Sequence, residues 1–402
     1  MLFNTWLYGY FLATVFVVYW ALPWPRLRPY WLIVAGIAFY AHWFPPHLVL
    51  ILGLAVFTFA IGGFIQRSYA AHNRVPLIVG LTVTLGALAY FKYQPLLYDA
   101  YGAFGRHLTG TDVPKPATIR PPLAISFFTF EFVHYLVEVY RGNIAAGFRN
   151  FLLFIMFFPT LIAGPIKRYQ NFAKYLDFEK RLDWREVGDG LERILFGLSK
   201  KLIVADSIAR LTAPVWQAPL DHGPGILWLA AYGYAVQIYL DFSGYSDIAI
   251  GSAKILGFKV EENFNWPYLR PNIREFWRSW HMSLTSWITD YLYIPLGGNR
   301  KGEARTNFNT IVSMSLCGLW HGAALHFVAW GFYHGVAICI QRTYSRWRDR
   351  TFPELRTVLP RTRQVVATLF TFHVVVIGWM YFVLSAGTAT RVILKMLLVP
   401  VS

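Results

Sequence analysis

Apolar runs long enough to cross a bilayer recur along the whole chain and predict a bundle of membrane helices. A crossing helix needs about 20 predominantly apolar residues. Runs near this length, some of them incomplete, lie at 3–22, 30–44, 48–65, 75–91, 121–140, 151–166, 195–211, 225–242, 306–341 and 365–384. We therefore expect an all-α integral membrane protein with about ten or eleven membrane segments. No internal repeat is visible, so the chain is predicted to be one polytopic domain over residues 1–402.

Two apolar stretches do not fit a single crossing. Residues 151–166 contain Pro and Gly breaks, and a re-entrant hairpin at 158–165 would return the basic 167–193 segment to the side it came from. Residues 306–341 contain no Asp, Glu, Lys or Arg and are flanked by Arg305 and Arg342. At 1.5 Å per residue they extend about 54 Å. We expect this stretch to enter the membrane and come back, with His321 deep in the protein near its midpoint.

Composition supports a lipid environment. Hydrophobic residues make up 56% of the chain and charged residues 14%, against roughly 25% charged in a typical soluble domain. Mean hydropathy is +0.40. These figures exclude disorder, a coiled coil and a disulfide-stapled secreted domain. Segment 3–22 has no charged start and no small-residue cleavage site, so we expect a retained helix and not a signal peptide.

The charge balance is strongly basic. The chain has 37 Lys and Arg against 21 Asp and Glu, a net charge of +16. Basic residues collect on the cytoplasmic side of membrane proteins, which explains the excess better than nucleic-acid binding does. The basic regions 254–305 and 342–363 are therefore predicted to be cytoplasmic. The two cysteines, Cys317 and Cys339, share one apolar stretch and are predicted to be small core residues.

Two histidines are the leading candidates for chemistry. Ionisable groups inside a membrane are costly and mark functional sites, and a neutral imidazole is both tolerable there and suited to proton transfer near neutral pH. His321 lies between Gly318 and Gly322, although these glycines are equally consistent with close helix packing and a structural His. His281 lies in an aromatic, cationic patch with Trp277, Arg278 and Trp280. On pattern alone this patch is better explained as an interfacial anchor.

Other polar groups in apolar segments favour structural roles. Glu131, His134 and Glu138 share one helix face and indicate a buried network more than a proton relay. Asp241 and Asp247 bracket Phe-Ser-Gly-Tyr-Ser, which predicts a break between two apolar segments held by its own side chains. No histidine pair near 321 has metal-ligand spacing. There is no P-loop, no GxSxG elbow and no HExxH motif, so neither a metal nor a covalent Ser or Cys mechanism is expected.

Eight short stretches together resemble one known family, the membrane-bound O-acyltransferases (MBOAT), in its bacterial polysaccharide-modifying branch. They run in family order over about 120–340: Ile-Ser-Phe-Phe-Thr-Phe (125–130), Val-Tyr-Arg-Gly (139–142), Phe-Phe-Pro-Thr-Leu-Ile-Ala-Gly-Pro-Ile (157–166), Asp-Phe-Ser-Gly-Tyr-Ser-Asp (241–247), Asn-Phe-Asn-Trp-Pro-Tyr (263–268), Glu-Phe-Trp-Arg-Ser-Trp-His-Met-Ser-Leu (275–284), Tyr-Ile-Pro-Leu-Gly-Gly-Asn-Arg (293–300) and Leu-Trp-His-Gly (319–322). The motifs are similar to the alginate O-acetyltransferase type. The short end after 365–384 is similar to the D-alanyl transferase type.

The resemblance implies a ring of helices with re-entrant segments around a central funnel, and acyl transfer across the membrane. His321 falls on the family's catalytic histidine and His281 on its second motif histidine. The residues predicted to bind substrate are Trp277, Arg278, Trp280, Asn265, Trp320 and Asp241. A basic rim is a further candidate for holding an anionic donor, although it is equally explained by the usual cytoplasmic excess of positive charge; it consists of Arg270, Arg274, Arg278 and Arg300.

The expected function is therefore a multi-pass O-acyltransferase of the inner (cytoplasmic) membrane. It would move an acyl group, foremost acetyl, from a cytoplasmic thioester to a hydroxyl of a cell-surface polysaccharide or of an exported partner. The donor is expected as substrate, either a CoA thioester or an acyl carrier protein, with no bound cofactor and no metal. Expected partners are the lipid membrane and a periplasmic acyltransferase or polysaccharide-export protein. Two alternatives stay open: D-alanyl transfer from a carrier protein to teichoic acid-type acceptors, and a proton-coupled transporter.

Overall fold

The computed structural model describes residues 3–43, 45–67, 73–109, 120–353 and 360–399. Its regular structure there is helical, and the β pairing found is one isolated bridge between Phe264 and Trp280. The helices are α1 (Trp6–Ala21), α2 (Arg28–Ala41), α3 (Pro45–Arg67), α4 (Val75–Thr109), α5 (Ile125–Tyr140), α6 (Phe148–Ile155), α7 (Tyr169–Phe172), α8 (Trp184–Leu198), α9 (Asp206–Gln217), α10 (Pro224–Ile255), α11 (Ile273–Trp277), α12 (Met282–Ile288), α13 (Gly302–His321), α14 (Leu325–Thr351), α15 (Pro360–Val383) and α16 (Ala386–Met396).

Within the described residues, three stretches are long and apolar enough to cross a membrane by length and composition: Pro45–Arg67, Val75–Tyr98 and Arg361–Val383. Helix α4 continues to Thr109, well beyond the predicted end at 91. The all-α membrane class is confirmed, while ten or eleven membrane segments in a ring stays a prediction. The sequence also predicts a polar, Gly- and Pro-containing loop between 91 and Arg120 and a short apolar tail at 392–401. Residues 110–119 of that loop and 400–401 of that tail lie outside the described residues.

The chain divides into two compact units. The first comprises Met1–Leu198 and Gly244–Glu261, and the second Ser199–Ser243 and Glu262–Ser402. The core of the first unit is largely aromatic, with Phe151, Phe154 and Phe158 fully buried. Helix α2 packs so closely against the end of α6 that a Cβ on Gly36 would meet the backbone carbonyl of Met156.

The predicted interruption around 158–165 is present in the first unit. Helix α6 ends at Ile155, a single 3-10 turn spans Phe158–Thr160, and the next helix, α7, begins only at Tyr169. This irregular backbone is buried in protein, as irregular backbone at membrane depth must be. A single helix through 151–166 is therefore excluded.

A buried ion pair fixes this irregular segment. Lys167 Nζ lies 2.6 Å from Glu131 Oε1 on α5 and donates to Thr160 Oγ1 at 2.9 Å. Lys167 is 2% exposed. His134 Nε2 accepts the Tyr169 backbone N–H at 2.8 Å. Glu138, one turn further along α5, bonds to separate partners, namely Arg141, Asn143 and Gln170. Each of the three polar groups predicted on α5 thus has its own structural partner.

Removing only one partner of the Lys167–Glu131 ion pair is expected to destabilise the protein strongly. Lys167→Met leaves a buried carboxylate without its counter-charge, and we expect a loss of about 3–5 kcal/mol in the free energy of unfolding. Adding Glu131→Gln removes that charge and should restore much of the loss. Thermal unfolding in detergent measures both. The control is Lys254→Met, since its pair with Asp189 at 2.6 Å is exposed and worth at most about 1 kcal/mol. Equal shifts for Lys167→Met and Lys254→Met would contradict the assignment.

The second unit contains a helical hairpin. The 306–341 stretch forms α13 and α14, which pack together and are joined through residues 322–324. A Cβ on Gly318 would meet the carbonyl of Phe327, and a Cβ on Gly331 would meet that of Met314. The predicted return of this stretch is present as a hairpin with His321 at the turn. Its entry into the membrane stays a prediction, and His321 is half-buried and not deep in the protein as expected.

One sequence prediction is wrong. No break separates Asp241 from Asp247, because α10 is continuous over 32 residues. The carboxylates do not need a turn, since each pairs with a cation from a neighbouring segment. In the first unit Asp247 pairs with Arg193 at 2.9 Å. In the second unit Asp241 pairs with Lys201 at 2.6 Å.

Candidate functional site

The segment that carries His281 is bracketed by backbone hydrogen bonds. The Asn265 N–H donates to the Ser279 carbonyl at 3.0 Å, and the Met282 N–H donates to the Asn263 carbonyl at 2.9 Å. The Ser283 hydroxyl also donates to Asn263 Oδ1 at 2.6 Å. These hydrogen bonds join the turn between α11 and α12 to the residues around Asn263 and Asn265. The position of His281 in that turn is therefore well defined.

His281 itself has an unusual backbone. Its φ of 45° and ψ of 54° are left-handed, and it caps the N-terminus of α12. Left-handed non-Gly residues are uncommon and occur where surrounding structure over-determines them, often at functional sites. The side chain is 2% exposed, and its ring packs perpendicular to Phe242 with centroids 4.5 Å apart. Nε2 has no hydrogen-bond partner among the residues that the structure describes.

His321 is the last residue of α13, where the backbone leaves the helix at Gly322. The imidazole is half-buried. It meets the rings of Trp330 at 5.2 Å and Phe382 at 5.0 Å, both edge-on. A helix end at this point directs the side chain into an aromatic wall while keeping part of it accessible. An imidazole in its neutral form is suited to accept a proton from a bound hydroxyl.

Trp320 links the two histidines. Its ring centroid lies 4.8 Å from that of His321 and 6.0 Å from that of His281. The two imidazoles are close enough to interact electrostatically. Two histidines that are 40 residues apart in the chain thus lie against the same tryptophan ring.

The other residues predicted to bind substrate differ from one another in burial and in contacts. Trp277 is buried beside Trp330, at 5.4 Å between ring centroids. Trp280 packs in a core with Phe264, Phe276 and Trp379. The Asn265 side chain is exposed, and its backbone N–H donates to the Ser279 carbonyl. Asp241 pairs with Lys201 and immediately precedes Phe242, the ring neighbour of His281.

Arginines form two pairs on packed helices of the second unit. Arg274 and Arg278 lie one turn apart at α11, and Arg342 and Arg346 lie one turn apart on α14, which packs against α11. Burial and the charges of Arg278, Arg342 and Arg346 lower the pKa of the Arg274 guanidinium. Arg346 pairs with Glu303, whereas Arg342 bonds to the neutral Asn307 and Thr310. The four cations are only partly neutralised.

Sequence reasoning missed five members of this region: Trp330, His334, Phe382, Arg342 and Arg346. The i, i+4 spacing of Trp330 and His334, and of Arg342 and Arg346, is visible in the sequence and places each pair on one helix face. What the spacing does not show is which other helix that face meets. Among the described residues, no group of three or more His, Cys, Asp or Glu side chains is arranged to hold a metal ion.

Comparison with known proteins identifies the class of this site. Residues 36–387 match the family model described as MBOAT, membrane-bound O-acyltransferase family. The chain belongs to this family, and it is a membrane O-acyltransferase. This membership decides the alternative between an enzyme and a transporter in favour of the enzyme.

Several relatives are similar to this chain over about two thirds or more of their own length. The probable alginate O-acetylase AlgI of Pseudomonas aeruginosa is 37% identical over 394 residues, which are 95% of this chain and 72% of that protein. The peptidoglycan O-acetyltransferase of Helicobacter pylori is 32% identical, over 95% of this chain and 77% of that protein. The teichoic acid D-alanyltransferase of Bacillus subtilis is 32% identical, over 65% of this chain and 68% of that protein.

Proposed function

We propose that this enzyme transfers an acetyl group from a cytoplasmic thioester to a hydroxyl of a cell-envelope polysaccharide, or of an exported partner that passes the group on, and that it works in the inner membrane. The single observation that carries the proposal is the pairing of His321 with His281 across Trp320. The similarity to an alginate O-acetylase and to a peptidoglycan O-acetyltransferase supports acetyl as the group and a polysaccharide as the acceptor.

In this proposal His321 is the general base. It takes the proton from the acceptor hydroxyl as the oxygen attacks the thioester carbonyl. The tetrahedral intermediate then collapses, the carbon–sulfur bond breaks, and the thiolate leaves as a thiol with the proton that His321 held. The products are an O-acyl ester and a free thiol. General-base catalysis of this kind contributes about 10²–10⁴ in rate.

His281 acts on the thioester in the same proposal. Its buried Nε2 has no partner in the described part of the chain, so in the tautomer that carries the proton there it can donate to the thioester carbonyl. The hydrogen bond that the Asn263 carbonyl accepts from Met282 and the one that the Asn265 N–H donates to Ser279 fix the backbone on both sides of His281, whose own conformation is left-handed. The position of this hydrogen-bond donor, the His281 Nε2–H, is thereby set before the substrate binds. Such preorganisation is the condition for efficient electrostatic catalysis.

The two arginine pairs support an anionic donor. CoA and the phosphopantetheine arm of a carrier protein both carry phosphate, which guanidinium groups bind well. Arg278 follows directly after Trp277 and lies three residues before His281. We propose that Arg274, Arg278, Arg342 and Arg346 bind the phosphates while the thioester extends toward the histidines. Arg274 and Arg278 belong to the basic rim predicted from sequence, while Arg342 and Arg346 are additions.

Neutralising one pair should weaken donor binding selectively. For the double variant Arg274→Gln, Arg278→Gln we expect KM for the donor to rise about tenfold or more, since hydrogen bonds to charged groups contribute about 1.5–3 kcal/mol. The kcat should change little, and the salt dependence of KM should decrease. Steady-state kinetics at two ionic strengths measures this. Arg210→Gln, an exposed arginine of the same unit that bonds to Ser207, serves as control. An unchanged KM in the double variant would contradict the phosphate assignment.

D-Alanyl transfer is the second candidate, and one observation favours it. The teichoic acid D-alanyltransferase of Streptococcus thermophilus is 29% identical over 84% of this chain. The proposed roles of His321 and His281 are the same for this reaction, because D-alanyl is also transferred from a thioester to a hydroxyl. The donor would then be a loaded carrier protein.

A transfer assay in proteoliposomes tests the proposal and separates the two donors. Radiolabelled acetyl-CoA and a D-alanyl-loaded carrier protein are offered separately, each with alginate oligomers, peptidoglycan glycan strands or teichoic acid as acceptor. We expect label from acetyl-CoA in a polysaccharide ester, and none with His321→Ala. Transfer from the carrier alone would assign the enzyme to D-alanylation. No consumption of either thioester by folded protein would contradict both readings.

A further inference from the structure

Two buried tryptophans in the second unit hold indole N–H groups that find no acceptor. Trp330 is 1% exposed and Trp277 is 5% exposed. Within the described residues, neither Nε1 atom has a hydrogen-bond partner. Because a buried donor without an acceptor loses its hydrogen bond to water and gains nothing in return, each such group in a native structure calls for an explanation.

Trp330 lies beside the proposed catalytic base, and Trp277 lies behind Trp330. The Trp330 ring meets His321 at 5.2 Å, with the ring planes at 89°. Trp277 meets Trp330 at 5.4 Å and 74°. The two indoles come from different helices, α11 and α14, and contact each other. His334, one turn after Trp330, packs edge-on against both indoles at 5.1 and 5.2 Å.

Burial alone does not account for the missing acceptors. Trp379 is equally buried at 1% and stacks on Trp330 at 5.8 Å. Its Nε1 nevertheless donates to the Tyr268 hydroxyl at 3.1 Å. Trp228, also in the second unit, donates to the Met396 carbonyl at 3.0 Å. Two tryptophans of the same unit, Trp379 and Trp228, thus have acceptors. Among the described residues Trp330 and Trp277 have none, and neither does Trp216, which has no ring contact with His321.

We infer that the indole N–H groups of Trp330 and Trp277 stabilise the oxyanion of the acyl-transfer reaction. This inference rests on the proposed function. When the acceptor oxygen attacks, the carbonyl π electrons move onto oxygen, and the new negative charge needs preorganised donors in a site that excludes water. Indole N–H groups donate and do not accept. They therefore favour the charged intermediate without competing for the proton that His321 takes.

Removing one indole N–H tests this directly. Trp330→benzothienylalanine, introduced by codon suppression, replaces N–H by sulfur with little change in shape. We expect kcat to fall about 10²–10³-fold, the usual cost of losing one oxyanion donor, with KM for the donor changed less than about threefold. The pH profile should keep its shape, because the base is untouched. Trp277→benzothienylalanine should act in the same direction, and Trp330→Phe provides a genetically simpler variant.

The matched control is Trp379→benzothienylalanine. This change removes the bond to Tyr268 and should lower the melting temperature while leaving kcat within a few-fold. His334→Phe keeps a ring against both indoles and removes the imidazole nitrogens, and it too should leave kcat within a few-fold.

Three results would overturn the inference. Unchanged kcat in the Trp330 variant means that its N–H has no role in the reaction. A changed pH profile there means that the ring only positions His321. A loss in His334→Phe equal to that in the Trp330 variant means that the indoles act through His334. If wild-type protein transfers no acyl group, the proposed function fails, and this is distinguishable because the inference is tested only against an active wild type.

Discussion

Replacing His321 by alanine is expected to lower kcat for acyl transfer about 10²–10⁴-fold while the protein stays folded. The loss follows from the absence of a base to take the acceptor proton. The fold should survive because the imidazole is only half-buried and lies at the end of α13, after which the backbone leaves the helix. Initial rates of thioester consumption and product formation in proteoliposomes measure the effect, and a thermal melt in detergent measures stability.

His326→Ala is the matched control for this prediction. His326 is also half-buried in the second unit, and its Nδ1 lies 2.9 Å from the Tyr381 carbonyl. Its ring contacts Phe327, itself a ring neighbour of His321. Because His326 makes only a structural hydrogen bond, replacing it should lower the stability of the protein somewhat and leave kcat within about threefold. If a well-folded His321→Ala variant transfers acyl groups at the rate of the His326→Ala variant, His321 is not the base.

Much of this site was predictable because burying charge in a membrane is costly. The absence of Asp, Glu, Lys and Arg over 306–341 predicts an inserted stretch, and its length predicts a return. The return is present as the α13–α14 hairpin, while the insertion stays a prediction. His321 at the midpoint then had to lie at the turn. The same argument located the irregular segment after α6, where Pro and Gly interrupt an apolar run. In both cases a local pattern determines the outcome, so tertiary structure was not needed.

Pairings between distant segments were not predictable from the same patterns. Asp241 and Asp247 suggested a broken helix because their counter-ions, Lys201 and Arg193, lie 40 and 54 residues earlier in the sequence. Lys167, the first residue of the basic 167–193 segment, likewise pairs with Glu131, a partner from a different helix. Which charges meet depends on how helices pack, and a single sequence contains no signal for that. For the same reason the sequence does not predict that Trp277, Trp330 and His334 pack against one another.

The second large effect is expected from two glycines in the α13–α14 hairpin. Gly318→Ala and Gly331→Ala each place a Cβ against a backbone carbonyl, of Phe327 and Met314 respectively. A backbone carbonyl does not rotate away as a flexible side chain does, so the helices must separate. Overpacking of this kind costs about 1–3 kcal/mol per site and occasionally more. We expect the double variant to show a large drop in melting temperature, or no folded protein.

Activity should fall along with stability, for a geometric reason. Gly318 precedes His321 by three residues on α13, and Gly331 follows Trp330 directly on α14. Separating the helices therefore moves the proposed base away from the indole beside it, and each single variant should lose kcat even where it still folds. Gly53→Ala on α3 and Gly86→Ala on α4 make the same substitution where a Cβ meets nothing within 4 Å. These controls should be neutral or slightly stabilising, because alanine favours the helix by up to about 1 kcal/mol. A Gly318→Ala variant as stable and active as Gly53→Ala would show that close packing of this hairpin does not hold the site together.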